Sequence, residues 1–431
     1  MNKKRNLILL LLVILVSFML FKRSPAYNIP KLDPLDLSEE KQLTSEEYIE
    51  DFNYMFEVLK KHYPYFEVNR ELNALDFTKY YDLYKSKIEK CENDNDFINA
   101  LNSILSELNN GHTNVLKRNF VFTAYINYYN LPENDWRHKM SEVFEKEKVR
   151  RRYNITTEEL KDFNKQNYSS STEMESNLIA EDIINGQVGY LYIKQMISAD
   201  EENKNFKLDK DIINNYLENI KDYKALIIDI RGNKGGDSAY WSKFLLPKLL
   251  KNPVSTKNYI FLKDGPLFKS LTSSMKNVED LTTFNFPENT LKYLDGFKYY
   301  YESVFTLEPL KESINFSGNL YLLVDRRVYS SSEKLASFCK ETGIAILVGE
   351  KTGGDGIGDD PFIFDLPNSG LLIRFPKEMG ITESGSINEL DKTIPQYIVE
   401  PINRVFLQDG KLNYENDKCI KKVLELENIN M

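Results

Sequence analysis

Apolar residues recur at helical spacing through Tyr48, Ile49, Phe52, Met55, Phe56 and Leu59, which predicts a helix with one buried face. Thr44 and Glu47 open it as a capping box, and Pro64 closes it. The same spacing predicts a second helix over Phe77–Lys90 and a third over Asp96–Leu108. In the third, Phe97, Ile98, Leu101, Ile104, Leu105 and Leu108 share a face, and Gly111 is a stop signal. These helices form a small domain that ends at His112. Residues 119–176 are tyrosine-rich and charged, with only weak helical patterns.

From Gln187 the period changes. Val188–Ile193, Ala225–Ile230, Tyr259–Leu262, Leu320–Val324 and Ile344–Val348 are short apolar runs that read as strands. Helical patterns at Lys210–Tyr223, Tyr240–Leu250 and Glu333–Thr342 alternate with them, which indicates an α/β layer. Phe362–Leu366 and Leu371–Phe375 flank Pro367-Asn368-Ser369-Gly370 and predict a hairpin. A last helix, Asp417–Leu426, is expected on the outside. No internal repeat is visible. The expected fold class is an α/β (α+β) core of mixed sheet with helices, preceded by a small N-terminal helical cap. The expected domains are a leader (1–26), a linker (27–43), the cap (44–118), an inserted, mostly helical segment (119–185), the core (186–405) and a C-terminal helix (406–431).

A chain of 431 residues has ample core for two or three domains. Its net charge of −9 argues against nucleic acid as a partner, because phosphate binding wants a basic surface. Lys3, Lys4 and Arg5 precede the uncharged apolar run Leu7–Phe21, the layout of an export signal. Ser24-Pro25-Ala26 is a poor cleavage site, since it follows Lys22 and Arg23 and has proline at its centre. A retained signal-anchor is therefore expected, with a secreted form as the alternative; either way the body lies outside the cytoplasm. Cys91, Cys339 and Cys419 are too few and scattered for a disulfide framework. No metal-ligand spacing, dinucleotide fingerprint or Walker loop is present, so neither metal nor cofactor is expected.

Candidate chemistry gathers at three places. Ser330-Ser331-Ser332-Glu333 lies between an apolar strand and a helix, where a turn can expose a small nucleophile beside free helix N–H groups. Leu226–Ile230 runs into Arg231-Gly232-Asn233-Lys234-Gly235-Gly236, whose glycines allow close backbone approach to a substrate. Asn109-Asn110-Gly111-His112-Thr113 places a histidine just past a helix end. Serine, histidine and a donor loop are the minimum for acyl transfer.

Together with Gly349-Glu350-Lys351-Thr352-Gly353-Gly354 and the late segment Asn388–Val399, these motifs resemble the serine peptidases that include the C-terminal processing peptidases and the tricorn proteases. The resemblance covers roughly residues 44–118 and 186–401. It implies that Ser330 is the nucleophile, with Ser331 and either Gly235 or Gly236 supplying oxyanion N–H groups. Processing peptidases take their base from a lysine after the Gly-Glu-x-Thr segment; here that slot holds Asp355, and Lys351 occupies a different one. The tricorn type uses a histidine from the cap, which matches His112, oriented by a late glutamate: Glu389, or alternatively Glu383. The relay serine before that histidine is Gly111 here, which implies a direct Glu–His contact. Processing peptidases usually carry a PDZ domain, but residues 119–176 contain no carboxylate-binding glycine loop. The expected function is a serine peptidase acting on peptides or unfolded segments laid along the core as an added strand. The rivals are a non-catalytic binding module on the same fold and a Ser–Lys peptidase using Lys351.

Overall fold

The computed structural model describes residues 27–36, 42–169, 177–201, 203–266, 277–283, 288–400 and 414–429. The export segment expected at residues 1–26 lies outside them, and no helix among the described residues is long and apolar enough to cross a membrane.

Helix α1 (Ser45–His62) starts with the expected capping box: the Glu47 amide donates to Thr44 Oγ1 at 3.2 Å, and the Thr44 amide to the Glu47 carboxylate at 2.9 Å. A short helix α2 (Phe66–Asn73), not evident in the pattern, follows Pro64. A 3-10 turn (Phe77–Tyr80) leads into α3 (Tyr81–Ile88), and α4 (Asp94–Ser106) completes the cap. The cap does not bury its apolar face alone. Phe52, Phe56, Leu101 and Leu105 share one hydrophobic cluster with Phe261, Ile373, Phe375, Met379 and Ile381 of the α/β core. Strand β1 (Asn114–Val115) leaves the cap immediately after His112.

The weak patterns of the next segment resolve into α5 (Arg118–Tyr129), α6 (Trp136–Met140), α7 (Glu147–Tyr153) and α8 (Thr157–Ser169). Their periodicity is blurred because α5 buries Val121, Phe122, Ala124, Tyr125 and Ile126, most of its circumference. Strand β2 (Leu178–Ile184) carries Glu181 and Asp182 on a sheet edge, which hid it among polar residues. It pairs antiparallel with β3 (Val188–Ile193), so the core sheet begins inside the segment expected to be insertion.

Helix α9 (Lys204–Ile220) leads to β4 (Ala225–Asp229). The helix expected over Tyr240–Leu250 is a π-helical turn (Tyr240–Leu245) followed by α10 (Leu246–Leu249). Strands β5 (Val254–Lys263), β6 (Glu279–Asp280) and β7 (Phe297–Leu307) are antiparallel, and β5 is longer than its apolar centre suggests. Next come β8 (Asn319–Val324), α11 (Ser331–Thr342) and β9 (Ile346–Gly349), then the expected hairpin of β10 (Phe362–Asp365) and β11 (Leu372–Phe375). The chain closes with β12 (Glu378–Thr382), α12 (Asn388–Asp391), β13 (Tyr397–Ile398) and α13 (Lys418–Leu426).

The main sheet has the order β13-β9-β8-β4-β3-β2 and is parallel except for β2. One face packs on α9, the π-turn and α11; Cys419, Ile420, Val423 and Leu424 of α13 cover the other. A second sheet, β12-β5-β7-β6, is antiparallel, and β1-β11-β10 form a third. That third sheet pairs Asn114 with Arg374 and Val115 with Ile373, which clamps the residues after His112 onto the core. All three cysteines are free and buried.

Candidate active site

The carboxyl ends of parallel strands β4 and β8 lie side by side, and both carry the loops that the sequence singled out. After β8 the chain turns through Asp325–Tyr329 into α11, with Ser330 as its N-cap at φ 57°, ψ −125°. A non-glycine residue held there stores on the order of 1–3 kcal/mol of backbone strain, a feature that clusters at functional sites. The three serines are not equivalent. Ser331 Oγ accepts from Trp241 Nε1 (3.3 Å) and Ser238 Oγ (3.1 Å), and Ser332 Oγ donates to Asn233 Oδ1 (2.7 Å). The Ser330 hydroxyl, half-buried, has no hydrogen-bond partner among the described residues.

The glycine loop is braced against this turn. Asp325 accepts the Gly232 amide at 2.9 Å, and Asn233 Oδ1 accepts the Gly235 amide at 3.0 Å. A Cβ on Gly235 would lie 2.8 Å from the Tyr329 carbonyl oxygen and 2.9 Å from the Ser331 nitrogen; one on Gly236 would lie 2.0 Å from the Met196 carbonyl oxygen. Both glycines also have positive φ, so no side chain fits at either. Of the two glycine amides, that of Gly235 donates to Asn233, and that of Gly236 is without an acceptor among the described residues. The Ser331 amide, at the first turn of α11, is likewise without one.

His112 comes from the cap. Its Nδ1 lies 2.7 Å from Asp355 Oδ2, with the two side chains only 17% and 8% exposed. The same oxygen accepts from Asn110 Nδ2 (2.8 Å) and the Tyr329 hydroxyl (2.8 Å), and Tyr329 in turn accepts the Gly111 amide (3.0 Å). Tyr329 precedes Ser330, and its ring centroid is 5.1 Å from that of His112. Burial opposes ionisation of Asp355, but the His112 ring and the bonds from His112, Asn110 and Tyr329 outweigh it and bring its pKa to about 2.

The direct Glu389–His112 contact is absent, and Asp355 takes its place. Glu389 sits one link farther out, accepting from Asn110 Nδ2 (3.0 Å) and Lys392 Nζ (3.4 Å). Burial and the neighbouring Asp355 charge raise its pKa to about 8, against Lys392 and Asn110, so it is protonated while Asp355 is ionised. A buried site this small holds one carboxylate charge more readily than two. Glu383 is exposed and paired with Lys257 at 3.8 Å, away from the histidine. Lys351 is exposed, so the burial that a Ser–Lys base needs is missing.

Two further groups stiffen the site. Glu333 is fully buried; its Oε1 accepts from Asn388 Nδ2 (2.8 Å) and Thr393 Oγ1 (2.6 Å), tying α11 to the segment beside Glu389. Burial pushes its carboxyl up, against those bonds. The inserted segment holds the loop after Asp355: Trp136 Nε1 donates to Asp359 (2.9 Å) and Arg137 Nη1 to Asp360 (3.0 Å). Asn110, Tyr329 and Asp355 were invisible as a set in the sequence, since 245 positions separate Asn110 from Asp355. The one available signal was an acid at Asp355, in the slot where a lysine was expected.

The sequence profile of peptidase family S41 matches residues 187–399, which hold the glycine loop, Ser330 and Asp355. The α/β core of this chain belongs to peptidase family S41. The protein is a serine-type peptidase. Its fold is similar to that of a putative peptidase from Parabacteroides merdae ATCC 43184, at 17% identity and TM-score 0.54, over 88% of this chain and 96% of that one. It is also similar to mature CPAF complexed with lactacystin, at 12% identity and TM-score 0.52, over 83% and 94% of the two chains. No curated protein matches the sequence. In this S41 peptidase the matched region begins only after His112, so the family profile leaves the histidine to be argued from its contacts alone.

Proposed function

We propose that this S41 peptidase cleaves peptides or unfolded protein segments through an acyl-enzyme. Ser330 is the nucleophile, His112 the general base and then acid, and Asp355 the carboxylate that orients it. The observation that carries the reading is a single uncommitted serine hydroxyl on a strained helix N-cap, next to a tyrosine that shares Asp355 with His112. An ionised Asp355 fixes the Nδ1–H tautomer and leaves Nε2 to accept the serine proton. The amides of Ser331 and Gly236 stabilise the tetrahedral oxyanion, with the first turn of α11 adding its dipole. His112 then returns the proton to the leaving amine, and water hydrolyses the ester by the same steps. No hydrogen bond joins Ser330 to His112 in the free enzyme. Such contacts are commonly loose without substrate and tighten in the Michaelis complex.

Replacing His112 by Ala is expected to lower kcat by on the order of 10²–10⁴, whereas Lys351→Ala should change it little. Steady-state hydrolysis of a quenched peptide checks this; the reverse ranking would favour a lysine base. We also propose that residues 1–26 export the enzyme and stay as a membrane anchor, on the strength of the basic residues before Leu7–Phe21. N-terminal sequencing of the native protein decides between forms: a start near Tyr27 means a cleaved signal and a secreted enzyme.

A further inference from the structure

Arg374 stands beside the His112 segment and, among the described residues, pairs with no acid. On β11 it lies opposite Asn114, two residues past the histidine. Its Nε donates to Asn114 Oδ1 at 2.8 Å and its Nη2 reaches the Gly111 carbonyl at 3.4 Å. The guanidinium carbon rests 4.5 Å from the ring centroid of Phe120, which is 39% exposed. These contacts fix the plane of the fork and leave Nη1 uncommitted. Among the described residues Arg374 has no ion-pair partner, although the chain carries 65 acidic residues. Arg137, Arg231 and Arg327, by contrast, each pair with aspartate. Asp355, the carboxylate on His112, already accepts from His112, Asn110 and Tyr329. Burial disfavours the Arg374 charge and lowers its pKa, against the smaller favourable influence of Tyr128, Tyr329 and Asp355, so an incoming anion would add to that support.

Direction follows from the chemistry. The general base hands its proton to the leaving amine, so the leaving fragment runs past the histidine side of the site. Arg374 contacts the carbonyl of Gly111 on that side. We propose that Arg374 binds a carboxylate on the leaving fragment, making this enzyme selective for an acidic side chain or a chain-end carboxylate just beyond the scissile bond. The proposal rests on the assignment of Ser330 and His112. A planar fork matches a carboxylate in two-point contact, which lysine cannot reproduce.

Mapping cleavage of a denatured protein by mass spectrometry supplies scissile bonds. Peptides spanning one of them are then made with Asp or Asn at each of the next positions, and with a free or amidated C-terminus. The enzyme should favour the carboxylate member of one pair by on the order of 10–100-fold in kcat/KM, the range of a charge-assisted hydrogen bond. The Asp/Asn pairs report a side-chain acid; the acid/amide pair reports a chain end. In Arg374→Gln the ratio should fall to near one, and Arg374→Lys should keep part of it. The inactive Ser330→Ala protein should show the same preference in binding measured by calorimetry, independently of turnover. Equal rates within every pair, or a preference that survives Arg374→Gln, overturns the proposal. A wild-type enzyme that cleaves nothing and takes no fluorophosphonate label overturns the Ser330–His112 mechanism instead.

Discussion

Ser330→Ala is expected to lower peptide hydrolysis by on the order of 10⁶, the scale seen when a serine nucleophile is removed from its constellation. The size follows from the chemistry: without that oxygen no acyl-enzyme forms, and only the oxyanion site and substrate positioning remain. A fluorophosphonate probe should label the wild type and leave the variant unlabelled. Ser331 and Ser332 are each hydrogen-bonded to buried neighbours and should not substitute. Label that persists in the variant would place the nucleophile on one of them. The fold should survive, because Ser330 contributes no side-chain cap bond to α11, and thermal unfolding of the variant checks this.

The second large effect separates the two carboxylates. Asp355→Asn should reduce kcat by on the order of 10⁴, as when a triad aspartate becomes an amide and the histidine adopts the wrong tautomer. Its Oδ2 accepts three donors, and an amide nitrogen turned toward any of them is repelled. Glu389→Gln should retain activity within about tenfold, since Glu389 touches Asn110 and Lys392 rather than the imidazole. A larger loss in Glu389→Gln than in Asp355→Asn would reverse the assignment. Stability supplies an independent reading. The Glu389 pKa is raised from 4.5 to about 8 in the folded chain, so between those values the folded state binds more protons than the unfolded one. Its contribution therefore falls as pH rises through that window. Denaturant unfolding of Glu389→Gln should show a flatter pH dependence there than the wild type.

Local pattern made much of the fold legible. The Thr44 capping box, the helix faces of the cap and the apolar strands around Ala225 and Leu320 are properties of short windows, and they form as their periodicity requires. The elements missed were those whose partners lie far away. Strand β7 pairs with β5 along its whole length yet alternates exposed charge with aromatics, and β2 is a polar edge. The insertion buries aromatic residues on most sides, so it lacks a single face.

The sequence by itself determined the architecture and the class of chemistry. A strand, a run of serines and a helix N-terminus in succession place small hydroxyls beside free helix amides, because all three are local. Tertiary structure alone decided the rest. Which serine is uncommitted depends on Trp241 and Asn233, which carboxylate holds His112 depends on how the cap seats against the core, and which glycine amide is spare depends on Asn233. Hydrogen bonds across the active site join residues as much as 279 positions apart, as Asn110 does with Glu389. Their geometry is set by the hydrophobic cluster that fuses cap to core, and no window of sequence contains it.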